Sequence, residues 1–123
     1  MNTKLTLVFR LILGLILLIF GMDKFFHFLP MPAMEGGAGE FMGAMISTGY
    51  LFKLIGLTEI TAGALLVFKK WVGLAMILAS VLIVNIVAFH LFLAPYGIGL
   101  AALMLILIVL LYYANWNTFK GLF

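Results

Sequence analysis

The sequence predicts an all-α protein, an integral membrane four-helix bundle, on three observations. Of its 123 residues, 67% are hydrophobic and only 9% are charged, a balance too apolar for a soluble domain of this size. The apolar residues fall into four runs, each near the length that crosses a bilayer's hydrocarbon core. Between the runs stand prolines, glycines and paired lysines, which mark helix ends. A single transmembrane domain over residues 1–123 leaves no room for a soluble part, so function is expected in the bundle itself or in its partners.

The first span is expected over residues 4–28, stopped by Pro30 and Pro32, which lack the N–H that would continue a helix. Lys4 and Arg10 beside an apolar core of about twelve residues have the outline of a signal peptide. No small-x-small cleavage site follows, so the run is read as a retained span. The second span covers 50–68 and ends at Lys69-Lys70. The third covers 71–93, before the Ala94-Pro95-Tyr96-Gly97 turn, and the fourth covers 98–113. At 1.5 Å per residue these lengths reach roughly 24 to 38 Å, bracketing a hydrocarbon core of about 30 Å.

Lys4, Arg10, Lys69, Lys70 and Lys120 all fall on the side that carries both termini. The positive-inside rule makes that side cytoplasmic, so a multi-pass protein of the cell inner (cytoplasmic) membrane with both termini cytoplasmic is expected. Trp71, Tyr112, Tyr113 and Trp116 fit an aromatic belt on that face, and Tyr50 and Tyr96 fit one on the other. The formal net charge of +3 is therefore a topology signal, and no nucleic-acid partner is expected. Arg10 is expected to snorkel to the inner headgroups.

The only long connection, 29–49, carries apolar Ala38, Phe41, Met42 and Met45 at helical spacing. That pattern fits a short interfacial helix over the outer end of the bundle, placed to act as a lid, or an apolar loop resting on headgroups. Its glycines match neither GxGxxG nor GxxxxGK, which excludes a phosphate loop of those kinds.

Glu59 is the most informative residue, because a carboxylate near the middle of a span must face the protein interior and be neutralised or paired. Counting depth from the outer helix ends places Asp23, His27, Glu59, Asn85 and His90 in the outer half, on three helices. The fourth helix has no charged residue and reads as a packing or lipid-facing element. Gly56 and Gly63 flank Glu59 at helical spacing, and Gly14 and Gly21 repeat likewise on the first helix. Two such faces can pack closely, drawing Glu59 towards Asp23, with a proton, Lys24, Lys53, Arg10 or a metal ion compensating the charge. Asp23 with Lys24 also reads as a helix-end ion pair, and Asn85 as an interhelical hydrogen bond.

Asp23, His27, Glu59 and His90 would make a two-His, two-carboxylate metal set, but their spacing is not diagnostic and no metal is assigned. The absence of Cys excludes disulfides, thiolate ligands and CxxC redox chemistry within this polypeptide. The eight methionines are dispersed, as bundle packing requires. A weak internal repeat pairs Phe26-His27-Phe28-Leu29-Pro30 with Phe89-His90-Leu91-Phe92-Leu93-Ala94-Pro95, placing the two histidines at matching depth.

The runs RLILGLILLIFGMDKFFHFLP, TGYLFKLIGLTEITAGALLVF and VNIVAFHLFLAP together resemble the DoxX-like small membrane proteins, over essentially the whole chain. Members of that family are similar in having a G-x-x-K element closing the first helix, an acidic residue in the second and N-x-x-x-x-H in the third. Here the matching positions are Gly21 and Lys24, Glu59, and Asn85 with His90. The resemblance implies four transmembrane helices. It also implies a role like that of relatives described as the quinone-reducing membrane subunit of a thiosulfate:quinone oxidoreductase, or as membrane partners in oxidative or thiol stress assemblies. Distant eukaryotic relatives resemble chaperones or sterol-binding four-helix proteins.

The expectation is an accessory or small-molecule-binding subunit of a membrane oxidoreductase system, with a quinone as ligand. Asp23, Lys24, His27, Glu59, Asn85 and His90 are the ligand-binding candidates, with the phenylalanines walling the pocket. Besides the lipid bilayer, a homodimer or a soluble redox partner is expected. The alternative is a non-enzymatic assembly or chaperone-like membrane scaffold that binds other membrane proteins through its small-residue faces. A proton-coupled transporter would need at least a dimer to complete a path.

Overall fold

A computed structural model describes residues 2–31 and 33–123. Helix makes up 83% of it and no strand occurs among the described residues, so the fold is all-α. α1 (Thr3–Phe26), α3 (Leu51–Val67), α4 (Val72–Phe92) and α5 (Ile98–Ala114) form the bundle, with α2 (Gly36–Ser47) between the first two and a one-turn α6 (Trp116–Phe119) at the end. Short 3-10 turns at Pro95–Gly97 and Lys120–Leu122 complete the helical elements. α1, α4, and α5 with its leading turn are each long and apolar enough to cross a membrane. The 17-residue α3 reaches that length only together with α2, which meets it at 87°.

α1 starts where the Asn2 side chain accepts the Lys4 N–H at 2.7 Å, satisfying one of the donors that a helix start leaves open. It stops at Phe26, two residues short of the expected end and before Pro30; Pro32 lies outside the described residues. The stop is a left-handed His27 (φ 54°), whose N–H donates to the Asp23 carbonyl at 2.7 Å. The Asp23 carboxylate then accepts the Leu29 N–H at 2.6 Å and fixes the exit of the chain.

The four long helices close a ring in the order α1, α3, α4, α5 and back to α1, with α1 on α3 the most extensive contact. Between helices in lipid, close van der Waals packing takes the place of the hydrophobic effect, and small residues permit it. A Cβ on Gly14 would lie 3.0 Å from the Gly63 carbonyl oxygen, and one on Gly63 would lie 2.7 Å from that of Gly14. The same reciprocal contact joins Gly21 and Gly56, at 2.8 and 3.1 Å. The seven-residue glycine spacings therefore mesh, as the sequence suggested.

The filled core occupies the half of the bundle nearer the termini, where Leu13, Leu17, Leu66, Met76 and Leu111 are fully buried. Arg10 lies in that half and does not snorkel. It is 7% exposed, and its guanidinium donates to the carbonyls of Leu66 and, at 3.3 Å, Val67. These belong to the last turn of α3, whose open acceptors and negative dipole end favour a cation. A second polar cluster there joins α4 to α5: the Ser80 and Tyr112 hydroxyls lie 2.6 Å apart, and both reach the Met76 carbonyl. α5 thus takes the packing role, one of the two expected of a helix without charge.

Candidate functional site

The opposite half of the bundle is hollow. A cavity of about 560 Å³ lies between α1, α3, α4 and α5 beneath α2, within the size range of small-molecule sites. Its walls are aromatic and aliphatic, with Phe20, Phe52 and Phe89 among them. Phe41, Met42 and Met45 of α2 form the roof, and α5 adds Leu100, Ala101 and Met104. The Phe41 and Phe89 rings meet at 5.6 Å between centroids, joining roof to wall. Of the two readings of this connection the structure shows the helix, which covers the cavity and buries its own Ala38.

Four of the six candidate residues line this cavity: Lys24, Glu59, Asn85 and His90. Asp23 and His27 do not. Asp23 faces the chain that leaves α1, and His27 is an exposed cap residue. The proposed match in depth between His27 and His90 thus joins two residues with different duties. No three His, Asp or Glu side chains converge as metal ligands among the described residues, so the four-residue metal set is not assembled.

Glu59 is 1% exposed and its Oε1 lies 2.6 Å from the Lys24 ammonium nitrogen. Glu59 is therefore drawn towards Lys24 and not Asp23, and Asp23 forms no ion pair with its neighbour. Lys24 meets Oε1 at the separation of a charge-assisted contact, and no other donor of the described residues reaches that buried oxygen. The rest of the ammonium is engaged as well, by the Phe20 carbonyl at 3.5 Å and the face of the Phe52 ring at 5.4 Å.

The local sequence explains this seat. A Cβ on Gly21 would lie 2.9 Å from the Glu59 Cβ, and one on Gly56 would lie 2.9 Å from the Lys24 Cβ. Gly21-x-x-Lys24 and Gly56-x-x-Glu59 thus clasp each other, each charged residue packing over the glycine one turn before its partner.

Asn85 donates through Nδ2 to the Val81 carbonyl at 3.1 Å. This bond lies within α4, one turn back, and replaces the interhelical bond expected for it. Nδ1 of His90 lies 2.8 Å from the Ile86 carbonyl. Because a carbonyl only accepts, Nδ1 carries the proton in a neutral ring and Nε2 presents its lone pair. That edge lies against Gly97, where a Cβ would sit 2.6 Å from Nε2, so the ring fits only beside glycine.

The phenylalanines were expected as walls, but which of them face the cavity was not. Phe52 stands seven residues before Glu59, which is the same helix face, and that spacing was a usable signal. The α5 residues offered none, being Leu, Ala and Met among others of their kind. Chemically, the site offers an ion pair of zero net charge at the side of an apolar chamber, with an amide and an imidazole nearby. No protein-family model, curated protein or solved structure matches the chain.

Proposed function

We propose that this chain is an accessory membrane subunit that holds a small quinone-like molecule in the cavity beneath α2. One observation carries the reading: an apolar chamber of ligand size whose polar groups are a mutually neutralised Lys24–Glu59 pair, Asn85 and His90. A quinone ring has an apolar body with polar atoms at opposite edges, and such a chamber suits it. Glu59 and His90 are within the same cavity and can take up or release protons that accompany a change of ligand redox state. Since the chain has no Cys, thiol exchange belongs to a partner protein.

The DoxX-like resemblance points the same way, because its matching positions Lys24, Glu59, Asn85 and His90 are the polar residues of the cavity. The placement in the inner membrane with cytoplasmic termini is part of this proposal. It is supported by exposed Lys4, Lys69, Lys70 and Lys120 at the end of the bundle that carries the termini. The scaffold reading has less support, since Gly56 and Gly63, the residues it would use for partners, are occupied by α1.

The test is photolabelling of purified protein with an azido-quinone, followed by peptide mapping. Labels on α2 and on the Asn85-to-His90 stretch of α4, competed by unmodified quinone, are expected. Labelling confined to the lipid-facing surface would overturn the proposal.

A further inference from the structure

The cavity's polar atoms are not balanced between donors and acceptors. The Lys24 ammonium is held by Glu59 at 2.6 Å, with the Phe20 carbonyl at 3.5 Å and the Phe52 ring at 5.4 Å around it. The strongest donor in the chamber is therefore committed first to Glu59. Asn85 retains one N–H and its Oδ1, since its other N–H serves Val81. His90, with Nδ1 committed to Ile86, presents Nε2 as an acceptor. The ionised Glu59 has acceptors and no donor; Lys24 meets one lone pair of Oε1, and no other donor of the described residues reaches the carboxylate. Three residues thus offer acceptors and one offers a donor.

From this imbalance we infer that the cavity selects an uncharged hydrogen-bond donor, a hydroquinone or related phenol, over the oxidised, carbonyl-only form of the same molecule. The inference rests on the quinone-like reading above and deepens it. A hydroquinone brings two O–H donors to Nε2 of His90, Oδ1 of Asn85 or the Glu59 carboxylate. A quinone brings only acceptors, leaves those atoms desolvated and unmatched, and finds a single amide N–H. A buried acceptor without a donor is costly, whereas each matched one stabilises the complex. Charge does not enter the choice: the Lys24–Glu59 pair sums to zero, so an ammonium ligand has no unbalanced carboxylate to meet.

The test compares decylubiquinol with decylubiquinone, which share one skeleton and differ by two hydrogen atoms, by equilibrium dialysis under argon with the full chain in detergent. The quinol is expected to bind at least about tenfold more tightly, a ratio within the cost of an unmet buried acceptor. A tenfold preference equals an upward shift of about 30 mV in the midpoint potential of the bound two-electron couple. His90→Phe keeps a flat ring against Gly97 but removes Nε2, and is expected to erase most of the preference by weakening quinol binding alone. Asn85 lies on the cavity wall and outside the packed core, so Asn85→Leu is a second variant with little demand on folding; it removes the quinone's only N–H together with Oδ1 and is expected to weaken both forms.

Equal affinity for the two forms, or tighter binding of the quinone, would overturn the inference while leaving the quinone-like reading intact. A preference unchanged in His90→Phe would overturn it too, by assigning the selectivity elsewhere. Binding of neither form would overturn the inference and the reading beneath it together.

Discussion

Lys24 packs over Gly56 and Glu59 packs over Gly21, so each member of the ion pair stands on the glycine that precedes its partner by one turn. Close approach and charge neutralisation are one structural event in this bundle. Without the glycines the helices stand further apart, and the carboxylate loses its cation in the place where it is least able to do without one.

Gly21→Ala should therefore destabilise the protein far more than its single methyl suggests. The new Cβ would lie 2.8 Å from a backbone oxygen of α3 and 2.9 Å from Glu59, and overpacking of this kind costs about 1–3 kcal/mol. Gly43→Ala on α2 is the control: nothing lies within 4 Å of its new Cβ. It should be neutral, or stabilising by roughly 0.5–1 kcal/mol through helix propensity. Thermal unfolding of the two variants in the same detergent decides the matter, and equal melting temperatures would contradict the packing described.

Breaking the ion pair from either side should cost more than removing it whole. Lys24→Met leaves the Glu59 carboxylate buried without its cation, a loss of about 3–5 kcal/mol for a pair of this kind. Glu59→Gln should cost less, because Lys24 keeps the Phe20 carbonyl and the Phe52 ring. The double variant should recover much of the Lys24→Met loss. A denaturant double-mutant cycle measures this directly; additive single effects would mean the two groups do not interact.

Arg10→Met should loosen the last turn of α3 without disturbing the cavity. The Val67 carbonyl loses the Arg10 donor and the Leu66 carbonyl keeps only the long Lys69 N–H contact at 3.4 Å, and a buried acceptor left poorly met costs about 1–3 kcal/mol. Hydrogen exchange should quicken over 66–70 and stay unchanged over 51–59. Protection retained at the α3 end would show that the cap is dispensable.

Much of the architecture was legible because it depends on composition and period alone. Four apolar runs gave four helices to within a few residues, and glycines seven apart on two helices gave the pair of faces that mesh. Which base neutralises Glu59 was harder to read. Asp23 and Lys24 are neighbours about 100° apart on one helix, so a small rotation of α1 exchanges an opposite charge for a like one. Lys53 precedes Glu59 by six residues, which places it on another face, and it is exposed. Arg10 was misjudged because snorkelling is the usual fate of an arginine near a span end, whereas here the end of a second helix lay within its reach. A pocket beside Glu59, Asn85 and His90 was legible from their shared depth, but its extent and its apolar lining were not. Phe, Met and Leu line a cavity and fill a core equally well, and only the three-dimensional arrangement separates the two.

The short α3 has a consequence for the surrounding lipid. Its 17 residues span about 26 Å, some 4 Å less than a typical hydrocarbon core, while its neighbour α1, with 24 residues, spans about 36 Å. Hydrophobic mismatch of this sign is relieved by thinning the bilayer beside the shorter helix, or by residence in a thinner membrane, at a fraction of a kcal/mol per Å. With α3 bent by 87° into α2, the thinned annulus lies on the flank of the bundle where the roof meets the wall. There, under the function proposed above, acyl-chain length in the membrane becomes a variable that would set how deeply α2 rides and how readily a lipid-soluble ligand passes beneath it.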